Sequence, residues 1–386
     1  MRIPIYDVTI QHRRLLPELE AAVREVLLNG QSDVVPQVTG LEQEIGDWLG
    51  GAQAIGVQSG TAALFLILKA LGIGPGDEVI TVPNSDMATT SAISHAGARF
   101  VLCDIEPEAM TIDPALVEAC VTPRTKAILP VHLYGHPAEM NPIVEIARRR
   151  GLMVVEDATL SLGATYHGQY TGLIGVAGAL SFAAHKVIGG SGNGGMIVTR
   201  DSDLALRARL LRGYGQHPSR QEVPPELRYT HDAQHYLVEG YNLRLDSIQA
   251  ALLRVKSRHL REWQAERQRL ADRYAQRFAG TPVRVPTVKA GHTHAWRNYI
   301  VGLPDRDRVR QALRERGIAT MALYIPPVHL HPVYAHLGLG RGTFPVAERV
   351  ADHLLGLPLY PGLAPERVDE VADAVLESVA ALRGAS

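Results

Sequence analysis

Ser181-Phe182-Ala183-Ala184-His185-Lys186-Val187-Ile188-Gly189-Gly190-Ser191-Gly192-Asn193-Gly194-Gly195 sets one lysine among small, hydroxyl and glycine residues, directly after the buried-type run Ala177-Gly178-Ala179-Leu180. Lysine avoids such surroundings because its charged head is costly to desolvate. Desolvation also lowers an amine's pKa and makes it a usable nucleophile and base, as a Schiff-base lysine requires. Taken alone, the segment fits equally well a loop lysine whose stem lies along the surface with its head in water.

The surrounding pattern narrows the choice. Upstream, apolar runs at 54–57, 79–82, 100–103, 127–131 and 153–157 read as strands, and stretches with helical apolar spacing separate them. Those helices are expected over 62–71, 90–97, from Pro114 and over 141–150, with two more at 18–28 and 41–49 ahead of the first strand. Strands alternating with helices predict an α/β domain on a mostly parallel sheet, which binds ligands at the carboxyl ends of its strands. A long helical stretch follows over 243–278, and beyond Gly280-Thr281-Pro282 the character changes. A strand over 298–303 and helices over 307–316 and 345–355 predict a smaller α+β domain. The expected division is a large α/β domain over 1–245, then the connecting helix and small domain over 246–386.

Two further places near strand ends bear on Lys186. Ser59-Gly60-Thr61 lies between a strand and a helix start, where backbone N–H groups and the Thr61 hydroxyl could hold a phosphate. An ordinary helix N-cap gives the same sequence. Asp157 ends a buried strand, so its carboxylate needs a cation or several donors. A protonated pyridine nitrogen would serve, and so would an arginine. A phosphate cradle, a strand-end aspartate and a lysine in a Ser/Gly-rich loop together match the needs of pyridoxal 5'-phosphate.

Composition excludes other classes. Thirty-nine basic and 40 acidic residues leave a formal charge of −1, with no electrostatic footprint for nucleic acid or an anionic membrane. No apolar run is long enough to span a bilayer, and the N-terminus has no signal-type apolar region. Cys103 and Cys120 stand in no metal-type spacing and read as reduced thiols of a cytoplasmic protein, and no metal is expected.

The chain resembles the DegT/DnrJ/EryC1/StrS aminotransferases, pyridoxal-phosphate enzymes that mostly aminate nucleotide-linked keto-sugars. Besides the lysine segment, the resemblance rests on Gly56-Val57-Gln58-Ser59-Gly60-Thr61-Ala62-Ala63-Leu64, Pro130-Val131-His132-Leu133-Tyr134-Gly135-His136 and Glu156-Asp157-Ala158. It continues through Gly240-Tyr241-Asn242-Leu243-Arg244-Leu245-Asp246 and Leu357-Pro358-Leu359-Tyr360-Pro361. It implies the aspartate-aminotransferase fold (fold type I for this cofactor), a homodimer with shared active sites, and glutamate as the amino donor. It further implies that Lys186 forms the Schiff base and shuttles the proton, and that Asp157 keeps the ring nitrogen protonated. Gly60, Thr61 and Ser181 would contact the phosphate, and Asn242 would reach the phosphate of the partner subunit's site.

Two positions depart from the family pattern. Asp86, in Ser85-Asp86-Met87-Ala88-Thr89, stands where an aromatic stacks on the cofactor ring, and Leu160 stands where a glutamine approaches the cofactor's phenolic oxygen. Both belong to the expected cofactor-binding set, and both suggest an unusual substrate or outcome. Arg220, Arg228 and His231, with His235, lie in a Pro-containing stretch suited to a sugar-linked diphosphate or to ordinary solvated charge. His329 matches a family histidine near the substrate entrance, although a packed histidine fits it better. The alternatives to a keto-sugar transaminase are an aminocyclitol or inosose aminotransferase, a dehydratase or eliminase, and a non-catalytic regulatory subunit. Lys186 argues against the dehydratase, in which histidine replaces the lysine.

Overall fold

In the computed structural model, which describes residues 2–29, 36–216 and 236–384, short apolar runs form strands and the amphipathic stretches between them form helices. Helices α1 (Thr9–Asn29) and α2 (Pro36–Trp48) come first. There follow β1 (Gln53–Val57), α3 (Gly60–Ala70), β2 (Glu78–Thr81), α4 (Met87–His95) and β3 (Arg99–Leu102). Next are α5 (Pro114–Val117), β4 (Thr125–Ile128), α6 (Met140–Arg150) and β5 (Met153–Asp157). The helix expected from Pro114 lasts one turn before tightening into a 3-10 turn at Glu118–Cys120. A hairpin of β6 (Thr165–Tyr166) and β7 (Gln169–Tyr170) precedes β8 (Ala177–Ser181), β9 (Gly195–Thr199) and α7 (Ser202–Arg212).

Seven of these strands form one sheet in the order β1-β9-β8-β5-β4-β2-β3. The pairs from β8 to β3 are parallel, and in this sheet β9 runs against the rest. Most strand residues are buried on both faces, as expected of a parallel sheet covered by helices. The arrangement brings the carboxyl ends of β1, β5 and β8 to one edge, where such sheets bind ligands.

The second half contains α8 (Ser247–Ser257), α9 (Leu260–Phe278), β10 (Tyr299–Gly302), α10 (Arg306–Glu315), α11 (Pro345–His353), β11 (Leu354–Leu357) and α12 (Pro365–Gly384). The single helix expected over 243–278 is two, starting later and breaking at His259, whose ψ of 2° leaves helical geometry. Leu260 and Trp263, in the first turn of α9, still share the core of α8, and from Leu270 onward α9 joins a second core. α8 packs on α1 and α2, whereas α9 packs on α12. The helix expected over 345–355 stops at His353, and Leu354 opens β11, antiparallel to β10. A separate C-terminal core gathers Leu270, Tyr274, Tyr299, Leu355 and Val371, and Ile3 joins it from the far end of the chain. Among the described residues no helix is long and apolar enough to cross a membrane.

Candidate active site

Asp157 is the last residue of β5, and its backbone is fixed on both sides. Its N–H donates to the Pro130 carbonyl (2.9 Å), and its carbonyl accepts from His132 N–H (3.0 Å). The buried carboxylate accepts from the Thr89 hydroxyl at Oδ2 (2.8 Å) and from Thr159 N–H at Oδ1 (3.1 Å). Ser85 Oγ lies 2.8 Å from Thr89 Oγ1 and extends the chain. Two donors orient the carboxylate and leave acceptor capacity for a cationic N–H.

Gly60 opens α3 at the same edge. Ser59 caps the helix by accepting Ala62 N–H (3.1 Å), and its carbonyl takes Ala63 N–H. The first-turn N–H groups of Gly60 and Thr61 are not used within the helix and are available to an anion. Approach is close here. A Cβ on Gly60 would meet Ser181 Cβ and Thr159 Cγ2 at 3.0 Å, and one on Gly195 would lie 2.3 Å from the Ser59 carbonyl carbon. Glycine at both positions therefore lets α3, β8 and β9 converge, with the Ser181 side chain beside the helix N-terminus.

Lys186 follows β8 on a tight loop, with its N–H donating to the Ala183 carbonyl (2.8 Å). Burial, reinforced by the Arg297 guanidinium, pulls its amine from 10.5 down to about 8, while Asp157 and Asp86 oppose the fall. His185 is lowered to about 4, by burial first and then by Arg297 and Lys186, so it stands neutral beside the amine near pH 7.

The loop's glycines are held by α8, which the sequence did not suggest. Gln249 Oε1 accepts Ser191 N–H (2.8 Å), and Lys256 Nζ donates to the Gly189 carbonyl (2.6 Å). Lys256 Nζ also lies 2.7 Å from His12 Nε2. A signal for Lys256 was present: on a helix it falls in line with Leu252, Leu253 and Leu260, which places it on the apolar stripe. Arg297, also missed, is buried just before β10.

The structure brings together Gly60, Ser181, Lys186 and Asp157, with Thr61 in the first turn of α3. Asp86 caps α4 through Ala88 N–H (2.9 Å) and lies within the field of Lys186. Leu160 is buried in the central core, where its side chain offers no hydrogen bond. Asn242 is exposed on the single chain, in a bridge with Gly213. His329 does not stand open at an entrance: it is buried, with Nε2 3.0 Å from Glu348 Oε1 and its ring edge-on to Phe344. Glu348 also accepts Gly342 and Phe344 N–H, so the histidine is locked in a packed carboxylate site. Arg220, Arg228, His231 and His235 lie outside the described residues. Among the described residues, no group of three or more His, Cys, Asp or Glu is placed to hold a metal ion.

These groups fit pyridoxal phosphate on the structure's own terms: an oriented strand-end carboxylate, an amine with a lowered pKa, and a helix N-terminus beside a hydroxyl. Comparison with known proteins agrees. The profile of the DegT/DnrJ/EryC1/StrS aminotransferase family matches residues 15–376. A dTDP-3-amino-3,4,6-trideoxy-alpha-D-glucose transaminase of Streptomyces venezuelae is 41% identical, over 97% of this chain and 96% of its own. A pleiotropic regulatory protein of Geobacillus stearothermophilus is 40% identical over 98% of both chains. The crystal structure of S. venezuelae DesV with a ketimine intermediate superposes with a TM-score of 0.89 at 40% identity, covering 97% of this chain and 98% of that one.

Proposed function

The chain belongs to the DegT/DnrJ/EryC1/StrS aminotransferase family, and on that premise we propose that it moves an amino group from an amino acid, glutamate in the first instance, to a nucleotide-linked keto-sugar. Its cofactor is pyridoxal 5'-phosphate. When bound, the cofactor supplies an electron-accepting ring that carries nitrogen between the two substrates.

The protein's part is positional and acid–base. Asp157, oriented by Thr89 and Thr159 N–H, would hold the ring nitrogen protonated. Gly60 and Thr61 N–H, the Thr61 hydroxyl and the Ser181 hydroxyl would hold the phosphate. Lys186 would hold the aldehyde and would move a proton at the substrate carbon that bears nitrogen. An amine near pKa 8 suits both tasks, since an appreciable fraction is unprotonated near neutral pH. Asp86 and Leu160 would border the ring with a carboxylate and an aliphatic group, where the family pattern implies an aromatic and a glutamine. Asn242, exposed on one chain, serves the partner's phosphate in a homodimer. The free thiols Cys103 and Cys120 accord with work in the cytoplasm.

The convergence of Lys186, Asp157 and the α3 N-terminus carries this reading. The test is a pair of half-reactions. Glutamate should convert the loaded protein to its amine form with release of 2-oxoglutarate, and a dTDP- or UDP-linked keto-sugar should return it to the aldehyde form. Cofactor bound without turnover of any amino acid would favour the regulatory reading instead, to which the name of the Geobacillus relative lends support.

A further inference from the structure

Beside the Lys186 loop stands a guanidinium without a counter-ion. Arg297 is 6% exposed, and its Nε is buried without a hydrogen-bond partner. Among the described residues no hydrogen bond or ion pair reaches the rest of the group. A buried charge left in this state is costly, so a site that keeps one is built for an anion that arrives later.

The backbone holds Arg297 against the strip that carries Tyr134 and Gly135. Asn298 N–H donates to the Tyr134 carbonyl (3.2 Å), and Ala295 N–H donates to the Gly135 carbonyl (2.9 Å). Gly135 has φ +106°, and a Cβ there would lie 3.2 Å from the backbone nitrogen of Arg297. This strip is tied through His132 N–H to the Asp157 carbonyl, and Tyr134 stacks on Tyr324 at 5.9 Å. From the other side, the Tyr6 ring lies 5.9 Å from His185, the neighbour of Lys186. Tyr324 and Tyr6 both lie close enough to act electrostatically on Arg297.

The nearby carboxylates serve other cations. Asp157 and Asp86 act on Lys186, and Glu266 acts on Arg267, which also donates to the carbonyls of Trp296 (3.0 Å) and Leu359 (3.3 Å). On the reading above, Asp157 serves the ring nitrogen and the cofactor's phosphate has its own donors at α3. A counter-ion for Arg297 therefore comes with a substrate, at the end of the site where Lys186 reacts.

We infer that Arg297 binds a carboxylate of the amino donor and thereby holds the donor's amine toward the Lys186 end of the site. The inference rests on the aminotransferase reading above. An α-amino acid bears its carboxylate on the very carbon that carries the amine, so an arginine close to the reactive lysine can reach it. In a nucleotide-linked keto-sugar the diphosphate sits on a different ring carbon from the ketone, which places it farther from the reaction. Guanidinium presents paired N–H donors that match a carboxylate.

Calorimetric titration of the cofactor-loaded enzyme with glutarate, a dicarboxylate that lacks an amine, and separately with dTDP, tests this. Arg297→Gln should weaken glutarate binding about ten- to hundredfold, the loss of a charge-assisted hydrogen bond, and leave dTDP binding unchanged. Arg297→Lys should recover part of the glutarate affinity. Absence of glutarate binding to the unaltered enzyme, equal affinity in Arg297→Gln, or a loss that falls on dTDP would each overturn the inference. The half-reactions of the unaltered enzyme separate the two levels. If glutamate turns over while the Arg297 variants bind glutarate normally, the inference alone fails. If no amino acid turns over, the aminotransferase reading fails with it, whatever Arg297 binds.

Discussion

Lys256→Met tests how the Lys186 loop is held. Lys256 is 1% exposed, donates to the Gly189 carbonyl at 2.6 Å and meets His12 Nε2 at 2.7 Å. Burial pulls its amine from 10.5 down to about 8. At about 1.4 kcal/mol per unit, keeping the ammonium buried costs about 3 kcal/mol near neutral pH. Methionine removes that cost but orphans the Gly189 carbonyl, and losing a hydrogen bond from a charged donor costs about 1.5–3 kcal/mol. The two nearly offset, so near pH 7 the variant should unfold within about 1.5 kcal/mol of wild type. The pH dependence separates the terms. Unfolded Lys256 keeps its proton up to about 10.5 and the folded residue only up to about 8. Between these values the unfolded state binds more protons, so wild-type stability rises with pH, and the variant lacks this rise. Urea unfolding at matched protein concentrations should show the variant falling behind by about 2 kcal/mol between pH ~7 and pH ~10. A difference that stays flat, or that shrinks as pH rises, would refute the buried-ammonium argument.

Two further substitutions probe neighbouring groups. Thr89→Val removes the hydroxyl that donates to Asp157 Oδ2 at 2.8 Å; turnover should fall about tenfold, the worth of one hydrogen bond to a charged group, and unchanged steady-state kinetics would contradict the positioning role. Glu156→Gln places an amide among donors that all need an acceptor: His132 Nε2 (2.8 Å) and the N–H groups of Gly172, Ile174 and Gly175 (2.6–2.8 Å). Ala138 N–H donates to His132 Nδ1, which leaves Nε2 as the protonated nitrogen. The variant should lose about 1–3 kcal/mol for each donor left unsatisfied, and an unchanged Tm would contradict the four-donor arrangement.

The sequence made the α/β sheet legible because its strands are short, apolar and bounded by turn glycines, a pattern that depends only on neighbouring residues. The same holds for Asp157 and for Ser59-Gly60-Thr61, each of which follows directly from a strand. What local pattern could not carry were decisions made across the fold. The break at His259 redirects the chain so that α9 can reach α12 beyond its first turn, and the switch from α11 to β11 at Leu354 follows from pairing with β10. Periodicity reads straight through both. Lys256 and Gln249 reach the Lys186 loop from more than fifty residues away, so only the fold reveals that they hold it. His329 carried a family position, but Glu348 and Phe344 close around it. Arg297 left little mark in the sequence because what sets it apart is a missing partner, and that is visible only once every neighbour is in place.

Borohydride reduction of the cofactor-loaded protein, followed by peptide mass mapping, asks which amine holds the aldehyde. Two lysines are candidates on chemical grounds, since burial brings both Lys186 and Lys256 to about 8. Lys256 is engaged with Gly189 and His12, whereas Lys186 lies in the field of Asp157. The phosphopyridoxyl group is expected on the peptide that carries Lys186, and to disappear from the protein in Lys186→Ala. A label on Lys256, or on no lysine at all, would contradict the assignment on which the proposed function rests.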